Sequence, residues 1–158
     1  MGDRKRKSKK RSTSKKQPPL KGFTLYLCHC VDYDEVVEAL ERGGIRFKRH
    51  RDYFPGYAPD TELLKLVGRR HWILITGDKK QRIKPLEKQL IKQFRVREFI
   101  VVGAGDIGAR IVGARRKIRN LCRNNAGPFV AAILLSGNVV QRSFDGKNQR
   151  PDIHDLSN

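Results

Sequence analysis

Apolar residues in this chain fall into two patterns: short dense runs, and stretches in which they recur every three or four positions. Phe23-Thr24-Leu25-Tyr26-Leu27, Trp72-Ile73-Leu74-Ile75-Thr76, Phe99-Ile100-Val101-Val102 and Phe129 to Leu135 are dense runs rich in β-branched and aromatic residues. Each is too short for a core helix and lacks polar alternation, so each reads as a strand buried on both faces. Ile45-Arg46-Phe47-Lys48-Arg49 alternates instead, which predicts a strand with one apolar and one basic face. Helical spacing follows in four places. Asp32 to Arg42 carries Val36, Val37, Ala39 and Leu40, stops at Gly43-Gly44, and opens on Asp32, Asp34 and Glu35, acids that suit a helix N-terminus. Asp60 to Val67 carries Leu63, Leu64 and Val67. Pro85 suits a first helical turn, and Leu86, Leu90, Ile91 and Phe94 mark the buried side of the helix behind it. Asp106 to Arg123 reads as the longest helix, burying Ile107, Ile111, Val112, Ile118, Leu121 and Cys122. Ser136-Gly137-Asn138 then turns the chain into Val139 to Arg142, a hairpin signal.

Strand and helix alternate from Phe23 to Leu135, which indicates α/β layering around a mostly parallel sheet. The 158 residues suffice for one domain with a real core, expected over 23–144. A basic tail, 1–22, and a polar tail, 145–158, flank it. No run approaches the roughly 18 apolar residues of a membrane span, so no membrane partner is expected. Three cysteines without a secretory signal point to free thiols in a reducing compartment, and hence to the cytoplasm.

Charge changes the picture most. The formal net charge is +19, of which residues 1–22 hold +9 and the remainder +10. Such an excess selects polyanionic partners, nucleic acid first. The tail, nearly continuous in Lys and Arg from Arg4 to Arg11, cannot bury apolar surface and is expected to be disordered. Arg115, Arg119 and Arg123, four apart, would form one guanidinium stripe on the last helix.

Two constellations compete for the chemistry. Gly103-Ala104-Gly105-Asp106-Ile107-Gly108 follows a strand and opens a helix, as a dinucleotide fingerprint does. Against it, no acid ends the strand after the helix, too few residues follow for the remaining βαβ units, and Asp106 would repel a pyrophosphate. Glycines allowing a tight turn are the simpler reading. The carboxylates form the second constellation. Asp78 follows one strand end and Asp106 the next, while Asp60 and Glu62 open the helix before the Trp72 strand. Converging on one edge of a parallel sheet, these hard oxygen ligands would suit Mg²⁺ or Mn²⁺ acting on a phosphodiester. Lys79, Lys80, Arg82 and Arg110 would steer the backbone and offset developing charge.

The motifs His50-Arg51-Asp52-Tyr53-Phe54-Pro55, Ala58-Pro59-Asp60-Thr61-Glu62, Gly68-Arg69-Arg70-His71-Trp72, Thr76-Gly77-Asp78-Lys79, Lys84-Pro85-Leu86-Glu87 and Gly127-Pro128-Phe129 resemble the PIN-like domains of the VapC-type ribonuclease toxin families. The resemblance covers about Phe23 to Arg142. It implies a three-layer α/β/α fold with a mostly parallel central sheet and metal-dependent endoribonuclease activity on single-stranded RNA. An antitoxin partner is implied as well, and a homo-oligomer is compatible with it. It further implies that Asp60 or Glu62, Asp78 and Asp106 are three of the pocket acids, with Mg²⁺ or Mn²⁺ as cofactor. The family's first acid ends the first strand, and here that place reads Leu27-Cys28-His29-Cys30. A thiolate is a soft ligand, ill suited to Mg²⁺. Three repairs are open: Asp32 or Asp34 swings in, Cys28 and His29 recruit a transition metal, or the protein binds RNA without cutting it.

Cys28 and Cys30 as a zinc pair would need two more ligands, for which His50, His71 and Cys122 lack motif spacing. Free thiols at a buried strand end are the plainer reading. Trp72 reads as core. Tyr53, Phe54 and Tyr57, set among Arg49, Arg51 and Asp52, could stack unpaired bases or simply fill the loop.

Overall fold

A computed structural model describes residues 22–54, 58–78 and 83–144 of the chain. Nearly all of the basic tail, the polar tail from 145 on, Tyr57, and the expected RNA-contacting Lys79, Lys80 and Arg82 lie outside the described residues.

Among the described residues, six strands make one sheet: β1 (Leu25–Leu27), β2 (Phe47–Arg49), β3 (Ile73–Thr76), β4 (Arg97–Val101), β5 (Phe129–Ile133) and β6 (Val139–Arg142). Their spatial order is β2-β1-β3-β4-β5-β6, parallel throughout except for β6, which pairs antiparallel to β5 through the expected hairpin. Every residue of β1, β3 and β5 is buried, as strands covered on both faces must be. The alternating strand β2 keeps Lys48 exposed, as its edge position allows.

Among the described residues, five α-helices supply the covers: α1 (Asp34–Arg42), α2 (Asp60–Arg70), α3 (Pro85–Gln93), α4 (Ile107–Gly113) and α5 (Arg115–Asn124). Helix α1 packs on α4 and α2 on α3, giving the three layers. The single long helix expected over Asp106 to Arg123 is two. The Ala114 N–H donates to both the Arg110 and the Ile111 carbonyl, tightening the last turn of α4, and the axis restarts at Arg115. The apolar spacing stays in phase across the break, which is why periodicity reads straight through it.

Two aromatic contacts anchor the core. Phe99 meets Phe129 edge-on at 5.4 Å, and Tyr26 lies parallel to Trp72 at 5.9 Å. Trp72 is therefore half-buried and packed against the core. Strand order reverses at β1, whose neighbours are β2 and β3. In an open α/β sheet, the crevice beyond the carboxyl ends at such a reversal is where ligands bind.

Candidate functional site

The chain leaves β1 in a tight turn, the Val31 N–H donating to the Cys28 carbonyl at 2.9 Å. Cys28 is 1 % exposed, while Cys30 is half-buried. The end of β3 sits against this turn. Cys28 N–H pairs with the Ile75 carbonyl, Gly77 N–H donates to Cys30 Sγ at 3.1 Å, and the Thr76 hydroxyl lies 3.5 Å from the same sulfur. The two thiols also hydrogen-bond each other. That bond, aided by Thr76, Gly77 and the nearby His29, draws the Cys30 thiol down to about 5 against the opposing effect of burial. The same bond, with burial, pushes the Cys28 thiol well above the usual range, so Cys28 keeps its proton.

Beside the turn lies Asp32, with its side chain 4 % exposed. Arg49 Nε donates to one of its oxygens at 2.7 Å and Arg51 Nε to the other at 3.3 Å. The parallel register that sets Leu27 against Arg49 makes this possible. Asp34 is tied to Arg49 at 3.1 Å. The Tyr26 hydroxyl and His50 Nδ1 are 2.8 Å apart. Burial, then His29, lowers the His50 imidazole, while Asp32 and Asp60 act the other way. Asp60, the first residue of α2, is thus near enough to act on His50.

The other expected acids diverge. Glu62 points outward, its side chain 56 % exposed and 3.8 Å from Lys65. Asp78 stands one residue beyond Gly77, its N–H donating to the Thr76 hydroxyl at 3.0 Å and its carboxylate 3.8 Å from Lys84. Asp106 is exposed and caps α4, accepting from the Ala109 N–H at 3.2 Å. It borders an open hollow of about 480 Å³ formed with α4 and the Leu135-Ser136-Gly137 turn. Among the described residues, no three His, Cys, Asp or Glu side chains come close enough to hold one metal ion. The expected convergence of Asp60 or Glu62, Asp78 and Asp106 on one cation is thus not what the fold brings together. Neighbouring parallel strands are set about 4.8 Å apart, and Asp106 turns back to cap its own helix instead of reaching across them.

A hard divalent cation also finds no acid at the end of β1. The Cys28 thiol there is buried and protonated, and Asp32 is committed to two guanidiniums. This donor set does not fit the Mg²⁺ or Mn²⁺ cage that three or four acids would form. Nor do Cys28, His29 and Cys30 gather the further ligands a zinc site needs.

Among the expected RNA contacts, Arg110 is buried and donates to the Val102 and Ala104 carbonyls. It stitches its own glycine loop together and is not presented to a ligand. Arg115 donates to the Gly43 carbonyl at 3.2 Å, which joins α5 to the end of α1. Arg119 remains half-exposed on α5. Tyr53 and Phe54 fold inward, Tyr53 onto Trp72 at 5.3 Å and Phe54 onto His50 at 5.2 Å, so these two fill the loop.

Sequence reasoning placed Thr76 only as a strand residue and gave Cys30 no partner. A Cys-X-Cys directly after a buried strand was the available signal, but its partners lie 46 and 47 residues further on.

Residues 30–103 match the family model described as "PIN like domain". No curated protein and no solved structure gives a significant match to the chain. The matched stretch runs from the β1 turn to the end of β4 and so contains the whole switch-point edge except Cys28 and His29. Over these residues the chain is similar to PIN-like domains.

Proposed function

We propose, from the PIN-like character of residues 30–103, that this protein binds single-stranded RNA across the carboxyl edge of its sheet without cleaving it. The observation that carries this is the buried thiol of Cys28 where a PIN-type site would carry its first acid. The nearest substitute, Asp32, is held by Arg49 and Arg51. Freeing it would strand two guanidiniums, one of them mostly buried, which costs several kcal/mol in comparable ion pairs, roughly 3–5. Cations remain for the backbone: Arg51 (58 % exposed) flanks the edge on the β2 side and Lys84 (45 % exposed) on the β3 side. The excess positive charge supplies long-range attraction.

A second reading gives Asp60 and Asp78 the ligand roles that the resemblance implies. It is a metal-dependent endoribonuclease of the toxin-antitoxin type, held in check by an antitoxin.

The two part in one experiment. Wild type, Asp78→Asn and Cys28→Asp are each incubated with labelled single-stranded RNA and Mg²⁺ or Mn²⁺, and binding and cleavage are followed together. The binding reading expects wild type to retain RNA and to cut it no faster than Asp78→Asn, whereas cutting gained in Cys28→Asp would show that the remaining acids can still gather around a cation. Cleavage by wild type that Asp78→Asn abolishes would overturn it in favour of the endoribonuclease. Absence of RNA binding would remove both.

A further inference from the structure

We propose that Cys28 and Cys30 form a redox-active pair at the switch point, Cys30 being the peroxide-reactive nucleophile and Cys28 the thiol that resolves it into an internal disulfide. The geometry is a set of donors aimed at one sulfur. Gly77 N–H (3.1 Å), the Thr76 hydroxyl (3.5 Å) and the Cys28 thiol all address Cys30 Sγ. Donors fixed in advance around a developing anion stabilise it, and here the anion is a thiolate. Access is divided in the same sense, since Cys30 is half-buried and reachable by a small oxidant while Cys28 is sealed. The turn closed by Val31 N–H on the Cys28 carbonyl contains both cysteines, two residues apart. Thr76 touches the Cys30 sulfur, and each thiol is near enough to shift the titration of the other. Cys122 is an internal contrast: burial pushes its thiol up to about 11, and it lies near Arg97.

The oxidant is hydrogen peroxide. The Cys30 thiolate attacks one peroxide oxygen; the S–O bond forms, the O–O bond breaks, and the departing hydroxide takes a proton to become water. The Cys28 sulfur then attacks the Cys30 sulfur. The S–S bond forms, the S–O bond breaks, and the second hydroxide leaves with the Cys28 proton as water. Peroxide is reduced and the two thiols are oxidised, at the reversible level of sulfenate and disulfide. The disulfide draws Cys30 Sγ away from the Gly77 N–H, so oxidation is felt at the β3 end, one residue from Asp78.

The test uses the full-length protein, reduced and then exposed to dilute hydrogen peroxide, with peptides mapped by mass. The tryptic peptide 22–42 contains both thiols and is separate from Cys122. It should lose the mass of two hydrogen atoms and regain it with a thiol reductant. In Cys28→Ser, Cys30 should trap a sulfenate-specific diketone. In Cys30→Ser, Cys28 should remain reduced. In wild type, alkylation of Cys30 should reach half its plateau near pH 5, the value its donors impose. An ordinary thiol needs about 8.5. An ordinary pH profile in wild type, no internal disulfide in peptide 22–42, or a disulfide between chains would each overturn the proposal. Wild type alone therefore decides should either variant fail to fold. No RNA enters the measurement, so its outcome is independent of the RNA-binding reading.

Discussion

His50 shows how a single side chain at this edge ties pH to stability. It is 4 % exposed, and burial together with His29 holds its imidazole below the ordinary histidine value, against Asp32 and Asp60. Burial also raises the Tyr26 phenol, so the phenol keeps its proton and donates it to His50 Nδ1 over 2.8 Å. Protonating the imidazole removes that acceptor. In the unfolded chain His50 binds its proton near pH 6.5, in the folded chain only at lower pH. Over the interval between, the unfolded state holds more protons, and stability falls as pH falls. The contribution is complete above about 6.5 and is lost as the pH drops through the folded value. Melting temperatures from pH 7.5 down to 5 should decline in wild type and decline less steeply in His50→Gln. Parallel declines would mean that other groups set the acid limit. Asp32 makes the complementary point about what a sequence conceals. Its acidity and its place near a helix start are visible in the chain, but its capture by Arg49 and Arg51 depends on the β1–β2 register and is a tertiary fact.

At the level of elements, the glycine run before α4 shows a legible pattern whose meaning lay elsewhere. Gly103 and Gly105 take positive φ, +77° and +122°, and so make the turn that L side chains resist. Gly108 serves packing instead. A Cβ there would come within 2.7 Å of Ala39 Cβ and 3.1 Å of Val36 Cα, so its hydrogen lets α4 lie directly on α1. With Arg110 filling the loop and β6 ending the sheet antiparallel, the run is a structural joint and not a dinucleotide cradle. Gly108→Ala should therefore cost about 1–3 kcal/mol in urea unfolding, as overpacking does elsewhere, and Ala39→Gly in the same chain should recover part of it. An unchanged midpoint would show that the helix pair has room to shift. The strands were readable because continuous apolar runs such as Ile73 to Thr76 admit few alternatives. The join at Ala114 was not, because its cause is a doubly accepted N–H and not a change in residue type. Of the candidate site, strand order in the sequence places Asp78 just after a strand and Asp60 at a helix start, whereas the headings of Glu62 and Asp106 are decided by Lys65 and by the α4 cap, contacts that no sequence pattern announces.

For the whole molecule the governing quantity is charge. If the protein binds RNA as proposed, a net +19 over 158 residues makes that association largely a matter of releasing condensed cations, so affinity should drop steeply with added salt. About half of that charge lies in residues 1–22 and half in the remainder. Each phosphate contact on a single strand contributes a slope of about 0.7 to the fall of log affinity with log salt. Binding of a labelled single-stranded RNA, measured at several salt concentrations, should give a large slope for the full chain. A chain starting at Phe23 should give a distinctly smaller but non-zero slope. A slope unchanged by the truncation would mean that the tail does not touch the nucleic acid. A slope that vanishes would mean that the sheet edge between Arg51 and Lys84 contributes no phosphate contacts, which would leave the tail as the sole RNA-binding element and remove the edge from the proposed interface. An intermediate slope accompanied by loss of the remaining salt dependence in Arg51→Gln would tie that contribution to the switch-point edge.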